Sequence, residues 1–264
     1  MKLLTFSSPK IGGKVLFFIG FILTLLGCFD VVKNKNIVNP YKNIEISKYK
    51  NEIKTISENF VFLYKKISPN FECDEKIHGV SCEPIITSSA SGLILSGKKG
   101  SVYVLTAGHF CANNNNSPYA IESIHGVASG LDRKLHLVAV DYQNDICLLM
   151  GVKYRSESYN SIKIANSVPK IGEEVYNISA PDGIFHPNIR LVFEGTFSGC
   201  ADNICMFTVP ATFGSSGSGI FNKNGELLTI VMAVPIDFKH VTISPSHEIL
   251  KSFINKINNT LDIY

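Results

Sequence analysis

From Phe60 onward the chain is built of short apolar runs interrupted by Gly, Pro and Asn. The runs "SGLILSG", "SVYVLTAG", "KLHLVAV", "DICLLM", "EEVYNIS", "RLVFEGTFSG", "ICMFTVPA", "SGIFN" and "ELLTIVMAV" have strand length and are rich in β-branched and aromatic residues. No long helical pattern separates them, so the chain is expected to form an antiparallel barrel or sandwich. Its end breaks the rule. In "SPSHEILKSFINKI", Ile249, Leu250, Phe253, Ile254 and Ile257 recur at helical spacing. Pro245 after Ser244 predicts a helix capped by Ser244 and entered through the proline. The expectation is an all-β domain closed by one amphipathic C-terminal helix.

Upstream of Phe60 the pattern changes. Lys2, Lys10 and Lys14 precede the uncharged run "VLFFIGFILTLLGCF", Val15 to Phe29, and Asp30 ends it. A basic stretch followed by an apolar one of this length is the signature of a secretory signal, and a spanning helix needs about 20 apolar residues. The run closes on Leu25-Leu26-Gly27-Cys28, which resembles the bacterial lipobox whose cysteine is lipidated. A lipoprotein signal, a cleaved signal peptide and an uncleaved anchor all stay open. Residues 30–58 are rich in Lys, Asn, Glu and Ile and read as a polar tether, partly helical through "ISKYKNEIKTI". The expected organisation is a signal or membrane anchor at 1–29, the tether at 30–58 and a folded domain at 59–264. The protein is then exported, to the periplasm or cell surface, and held at the membrane by its N-terminal segment or by a lipidated Cys28.

Composition narrows the function classes. Among 264 residues, 45% are hydrophobic and 18% charged, enough apolar material for a sizeable core. A net charge of +3, with the basic residues dispersed, gives no footprint for nucleic acid. Cys28 apart, six cysteines remain, and an even number in an exported chain suggests disulfides. Cys73 with Cys82 and Cys200 with Cys205 are close enough to staple local loops. Cys111 with Cys147 is left over, and either of these two is equally compatible with a buried free thiol. No Cys-x2-Cys pair or His cluster at ligand spacing appears, so no metal site and no cofactor is implied.

Three short motifs carry chemistry, in the order His, Asp, Ser. In "VLTAGHF" a strand ends just before His109; in "NDICLL" Asp145 opens a buried strand; "TFGSSGSGIF" sets three serines among three glycines. A serine hydroxyl is a weak nucleophile near neutral pH and needs an imidazole to take its proton, with a carboxylate to orient that imidazole. Together with "SSASGLIL" upstream, these motifs resemble the bacterial branch of the chymotrypsin-like (trypsin-fold) serine peptidases, over about residues 60–255. The resemblance implies a double six-stranded β-barrel with a C-terminal helix. It implies a polypeptide substrate, cleaved through an acyl-enzyme without a cofactor. His109 falls at the general base, Asp145 at the orienting acid and Ser216 at the nucleophile. Gly214 and Ser216 are the expected oxyanion donors, with the Ser215 N–H lining the hole. Pro210, Ala211 and Thr212 fall at the substrate pocket.

The competitors for each role are weaker. His125, His136, His186, His240 and His247 lack the "TAGH" setting, and Asp141 follows "LVAV" rather than leading "ICLL". Only Ser216 has glycine two before and one after. The chain also departs from the family. Ser215 stands where animal trypsins carry the Asp that pairs with a freed N-terminus, and Gly219 where Pro is usual. No acidic residue stands at 210–212, which points to apolar or small residues before the cut. The rival reading is a catalytically silent peptidase-fold module that binds partners at the membrane.

Overall fold

In the computed structural model the described residues are 50–69, 71, 83–96, 100–112, 119–154 and 159–261. The apolar segment 1–29 with Cys28, the tether up to residue 49, and the Cys73–Cys82 pair lie outside them. Every described residue lies within one compact unit, Ser47–Tyr264. Among the described residues no helix is long and apolar enough to cross a membrane.

Helix α1 (Lys50–Glu58) leads into six antiparallel strands that close on themselves. These are β1 (Phe60–Pro69), β2 (Ile85–Ser96), β3 (Ser101–Ala107), β4 (Tyr119–Ala128), β5 (Leu131–Asp141) and β6 (Ile146–Val152), with a single helical turn α2 (Gly108–Cys111) after β3. Around the barrel the order is β1-β2-β3-β6-β5-β4. The second half holds β7 (Glu174–Ser179), β8 (Leu191–Ala201), β9 (Ile204–Phe207), β10 (Gly219–Asn222), β11 (Leu227–Ile230) and β12 (Thr242–Pro245), ordered β11-β10-β7-β8-β9-β12. Met232 and Ala233, just past β11, bond Ile243 of β12 and bring the two edges together. Counted from its own first strand, this second barrel repeats the cyclic order of the first. Helix α3 (His247–Leu261) ends the domain, so the double six-stranded barrel with a C-terminal helix is what the chain forms.

The continuous apolar runs are explained by strands with no wet face. Side chains alternate across a strand. In β2, Ile94 fills the first barrel while Leu93 and Leu95 face the layer between the barrels. In β6, Cys147 and Leu149 point inward, and Ile146 and Leu148 point to that same layer. Phe221, Leu227 and Ile230 of the second barrel meet them there, with Leu250, Ile254 and Ile257 of α3 and Ile56 of α1. The second barrel is filled by Val175, Phe197, Phe207, Ile220 and Leu228.

The start of α3 differs from the expectation. Ser244 and Pro245 are strand residues, paired with Cys205 and Ile204 of β9, and the Pro245 carbonyl accepts the Thr229 hydroxyl at 2.7 Å. Ser246 is the cap instead: its Oγ accepts the Ile249 N–H at 3.4 Å and its carbonyl the Leu250 N–H at 3.1 Å. The sheet ladder continues past the point at which propensity alone would start the helix.

Cys200 and Cys205 form a disulfide across the β8–β9 hairpin, and Cys111 and Cys147 form a second one. The second ties α2 to β6 over a separation of 36 residues, with both cysteines buried. Closing a loop of that length removes unfolded-state entropy worth about 3–4 kcal/mol. A Cys111→Ser/Cys147→Ser variant is therefore expected to lose about that much unfolding free energy, read from denaturant melts against the parent.

Candidate active site

The Cys111–Cys147 bond also brings two motifs together, because each cysteine stands two residues after a candidate catalytic side chain. His109 sits on α2 where β3 ends, and Asp145 sits at the mouth of β6. Asp145 Oδ2 lies 2.8 Å from His109 Nδ1, and Asp145 Oδ1 accepts the backbone N–H of His109. The imidazole is 54% exposed and the carboxylate 15%, so the ring presents its far nitrogen outward from a largely covered anchor. Asp145 holds φ at +57°, a conformation that Asp tolerates better than most residues. Gly108 allows the approach: a Cβ there would lie 3.0 Å from the Asp145 backbone.

The serine loop reaches the same place from the second barrel. His109, Ser216, Gly214, Phe213, Asp182, Phe110, Lys65, Ser88 and Ser89 line one open cleft of about 610 Å³. Ser216 is half-buried at its wall, and among the described residues no hydrogen bond joins it to His109. A larger cavity of about 700 Å³ lies elsewhere, between β5 and α3, and holds none of these groups. Size alone does not find the site.

Buried polar contacts hold the loop from the first barrel. Ser91 of β2 is fully buried and sends its N–H to the Ser216 carbonyl at 2.9 Å. Its hydroxyl donates to the Gly214 carbonyl at 2.8 Å and accepts the Ala180 N–H at 3.0 Å. Its carbonyl accepts the Thr106 hydroxyl at 2.8 Å. Behind the loop, the Ser218 hydroxyl donates to the Ser215 carbonyl at 2.6 Å and accepts from Asn177 at 2.8 Å. The Ser215 N–H donates to the Thr212 carbonyl at 3.0 Å. Gly214 and Ser216 keep backbone N–H groups with no partner among the described residues, where a covered donor is nearly always paired. Pro210, Ala211 and Thr212 are not among the residues lining the cleft; Ala211 is buried and its N–H donates to the Lys239 carbonyl at 3.0 Å.

Gly217 shows how tightly the loop is seated. Its φ is +82°, and a Cβ there would stand 2.2 Å from Thr106 Oγ1 and 2.5 Å from the Ser91 carbonyl. Gly217→Ala is expected to destabilise the fold by about 2–4 kcal/mol, from left-handed strain plus overpacking. A thermal melt of the variant checks it.

The competing residues are engaged elsewhere. Asp141 accepts Asn144 twice, through the backbone N–H at 3.1 Å and Nδ2 at 2.7 Å, and so closes the turn before Asp145. His247 is buried with Nδ1 on the Leu228 carbonyl at 2.8 Å, and His186 Nδ1 accepts the Asn188 N–H at 3.2 Å. His125 forms another Asp–His–Ser string, 3.0 Å from Asp132 and 3.1 Å from Ser123, but that serine is buried and off the cleft. His136 and His240 are exposed and also lie off the cleft. Among the described residues no group of three or more His, Cys, Asp or Glu is placed to hold a metal.

Two antiparallel barrels with an Asp–His pair facing a glycine-flanked serine define the class of the chymotrypsin-like fold. The family model of the trypsin-like peptidase domain matches residues 90–230. The chain belongs to that family, and is by membership a peptidase-fold protein. Among solved structures it is similar to a serine endoprotease from Yersinia pestis, with a TM-score of 0.59 and 22% identity over 79% of this chain. The chain covers 65% of that protein's length. It is also similar to the inactive serine-to-alanine form of Rv3671c from M. tuberculosis, with a TM-score of 0.57 and 14% identity. There 80% of this chain aligns with 91% of the other. Both likenesses are of fold. No curated protein matches the sequence.

Proposed function

We propose that this protein is a serine endopeptidase using Ser216 as nucleophile, His109 as general base and acid, and Asp145 as the group that orients His109. The observation that carries this reading is the two-point grip of Asp145 on His109 in a cleft shared with Ser216. The grip holds Nδ1–H toward the carboxylate, so Nε2 carries the lone pair that can accept the serine proton. The unpaired N–H groups of Gly214 and Ser216 suit the oxyanion that forms on attack, and one such donor is typically worth about 10²–10³ in rate. Long or unmade serine–histidine contacts are common without substrate and tighten when it binds.

His109 then returns the proton to the leaving amine, and water repeats the sequence on the acyl-enzyme. Ser215 offers no carboxylate to a new N-terminus, so activation by N-terminal insertion is not part of this reading. Export, through the apolar segment 1–29 with or without lipidation of Cys28, places the enzyme outside the cytoplasm. The two disulfides fit that compartment. A cleavage profile of a proteome-derived peptide library against the Ser216→Ala control tests the proposal. Cuts made by the parent and absent from the control are expected. Equal profiles would favour the silent binding module.

A further inference from the structure

On the histidine side of the cleft lie two polar groups that the hydrolytic machinery does not use. Lys65 of β1 and Ser88 of β2 are direct cross-strand partners, so their side chains leave the same face of the barrel. Both line the cleft with His109 and Ser216. Lys65 is half-buried, and burial holds its ammonium below the usual lysine pKa. Its Nζ donates to the Phe110 carbonyl at 3.2 Å and stands 5.4 Å from the centre of the Phe110 ring. One ring face and one carbonyl are little compensation for a cation with three donors. Among the described residues no carboxylate lies within ion-pair distance of it, and Asp182 across the cleft accepts the Thr212 hydroxyl instead. Ser88 Oγ is fully covered and has no hydrogen-bond partner among the described residues. A buried unpaired hydroxyl beside an under-used ammonium is costly in a free protein, which suits a site completed by an acceptor-rich ligand.

We propose that Lys65 and Ser88 form a carboxylate-binding subsite that selects substrates with an acidic group just after the scissile bond. The proposal rests on the peptidase reading, which also sets the direction. The acyl oxygen belongs at the N–H groups of Gly214 and Ser216 on the second barrel. The leaving amine must receive its proton from His109, so the leaving chain passes over the first barrel, where Phe110, Lys65 and Ser88 lie. Lys65 supplies charge and two free donors, and Ser88 supplies a third donor. The ligand is a carboxylate, from an Asp or Glu side chain one or two residues past the cut or from the C-terminus of a short leaving peptide.

The test is the library profile read on the leaving side, for the parent, Lys65→Gln, Ser88→Ala and, as control, Lys223→Gln on an exposed turn. The parent is expected to enrich Asp and Glu over Asn and Gln about three- to tenfold at one of the first two leaving-side positions, the range of a partly solvated charge-assisted bond. Lys65→Gln should bring that ratio close to one, Ser88→Ala should reduce it, and Lys223→Gln should leave it intact. Enrichment that follows only the distance to the peptide's own C-terminus would identify the terminal carboxylate as the ligand. A parent ratio near one, or a ratio unchanged in Lys65→Gln, overturns the proposal. If the parent cuts nothing, the peptidase reading fails by itself. The subsite is then judged by capture of the same library on Ser216→Ala and on Ser216→Ala/Lys65→Gln. Acidic enrichment on the first and not the second supports it, and equal capture rejects it.

Discussion

Replacing Ser216 by alanine is expected to lower kcat on a denatured protein substrate by about 10⁵- to 10⁶-fold, with the fold intact. The contacts that seat this residue are main-chain: the Ser91 N–H holds the Ser216 carbonyl, and the Ser91 hydroxyl holds Gly214. Removing Oγ leaves all of them in place, so the melting temperature should not fall. What survives is the residual catalysis of substrate binding and unpaired N–H donors, about 10³–10⁴ over the uncatalysed reaction. Turnover measured beside a thermal melt separates loss of the nucleophile from loss of the loop. A parallel drop in both would mean that Ser216 is structural.

Asp145→Asn is expected to cost about 10⁴ in kcat with little change in stability. Both oxygens of Asp145 are engaged, one by the His109 backbone N–H and the other by His109 Nδ1. An asparagine has one acceptor and one donor group. The backbone N–H can only donate, so the amide oxygen must stay with it and the NH₂ must turn to Nδ1. That forces the proton of neutral His109 onto Nε2, where it can no longer accept from Ser216. The tautomer is decided by a fixed main-chain donor and needs no change in ring position. Steady-state kinetics of the variant check the size of the effect, and a loss below tenfold would remove Asp145 from the proposed role.

Much of the fold was legible because most strands are short, apolar and punctuated by Gly, Pro and Asn. The strands that escaped the pattern share a physical reason. β1 carries Lys65, Lys66 and Pro69 although it is paired on both sides, and β4 breaks its apolar positions with the exposed Glu122, the half-buried His125 and the buried Ser123 and Gly126. β12 is a four-residue strand whose Ser244-Pro245 looks like a helix entry, and only its ladder with β9 overrides that. At the candidate site, the three motifs pointed to His109, Asp145 and Ser216 because local turn chemistry surrounds each of them. Ser91, Lys65 and Ser88 could not be found that way. Their importance comes from pairings between strands far apart in sequence, such as Ser91 with a loop more than a hundred residues on. Within "SSASGLIL" nothing local distinguishes Ser91 from Ser88, yet the Ser91 hydroxyl holds the Gly214 carbonyl and that of Ser88 is covered with no partner among the described residues.

The central claim is that Ser216 is an activated nucleophile, and covalent labelling tests it most directly. A fluorophosphonate probe should modify the protein once, with peptide mapping placing the adduct on Ser216. His109→Ala should slow labelling by several orders of magnitude, since the general base is then gone. No adduct on the folded protein, or an adduct on Ser215 or Ser218 that His109→Ala does not affect, would contradict the account.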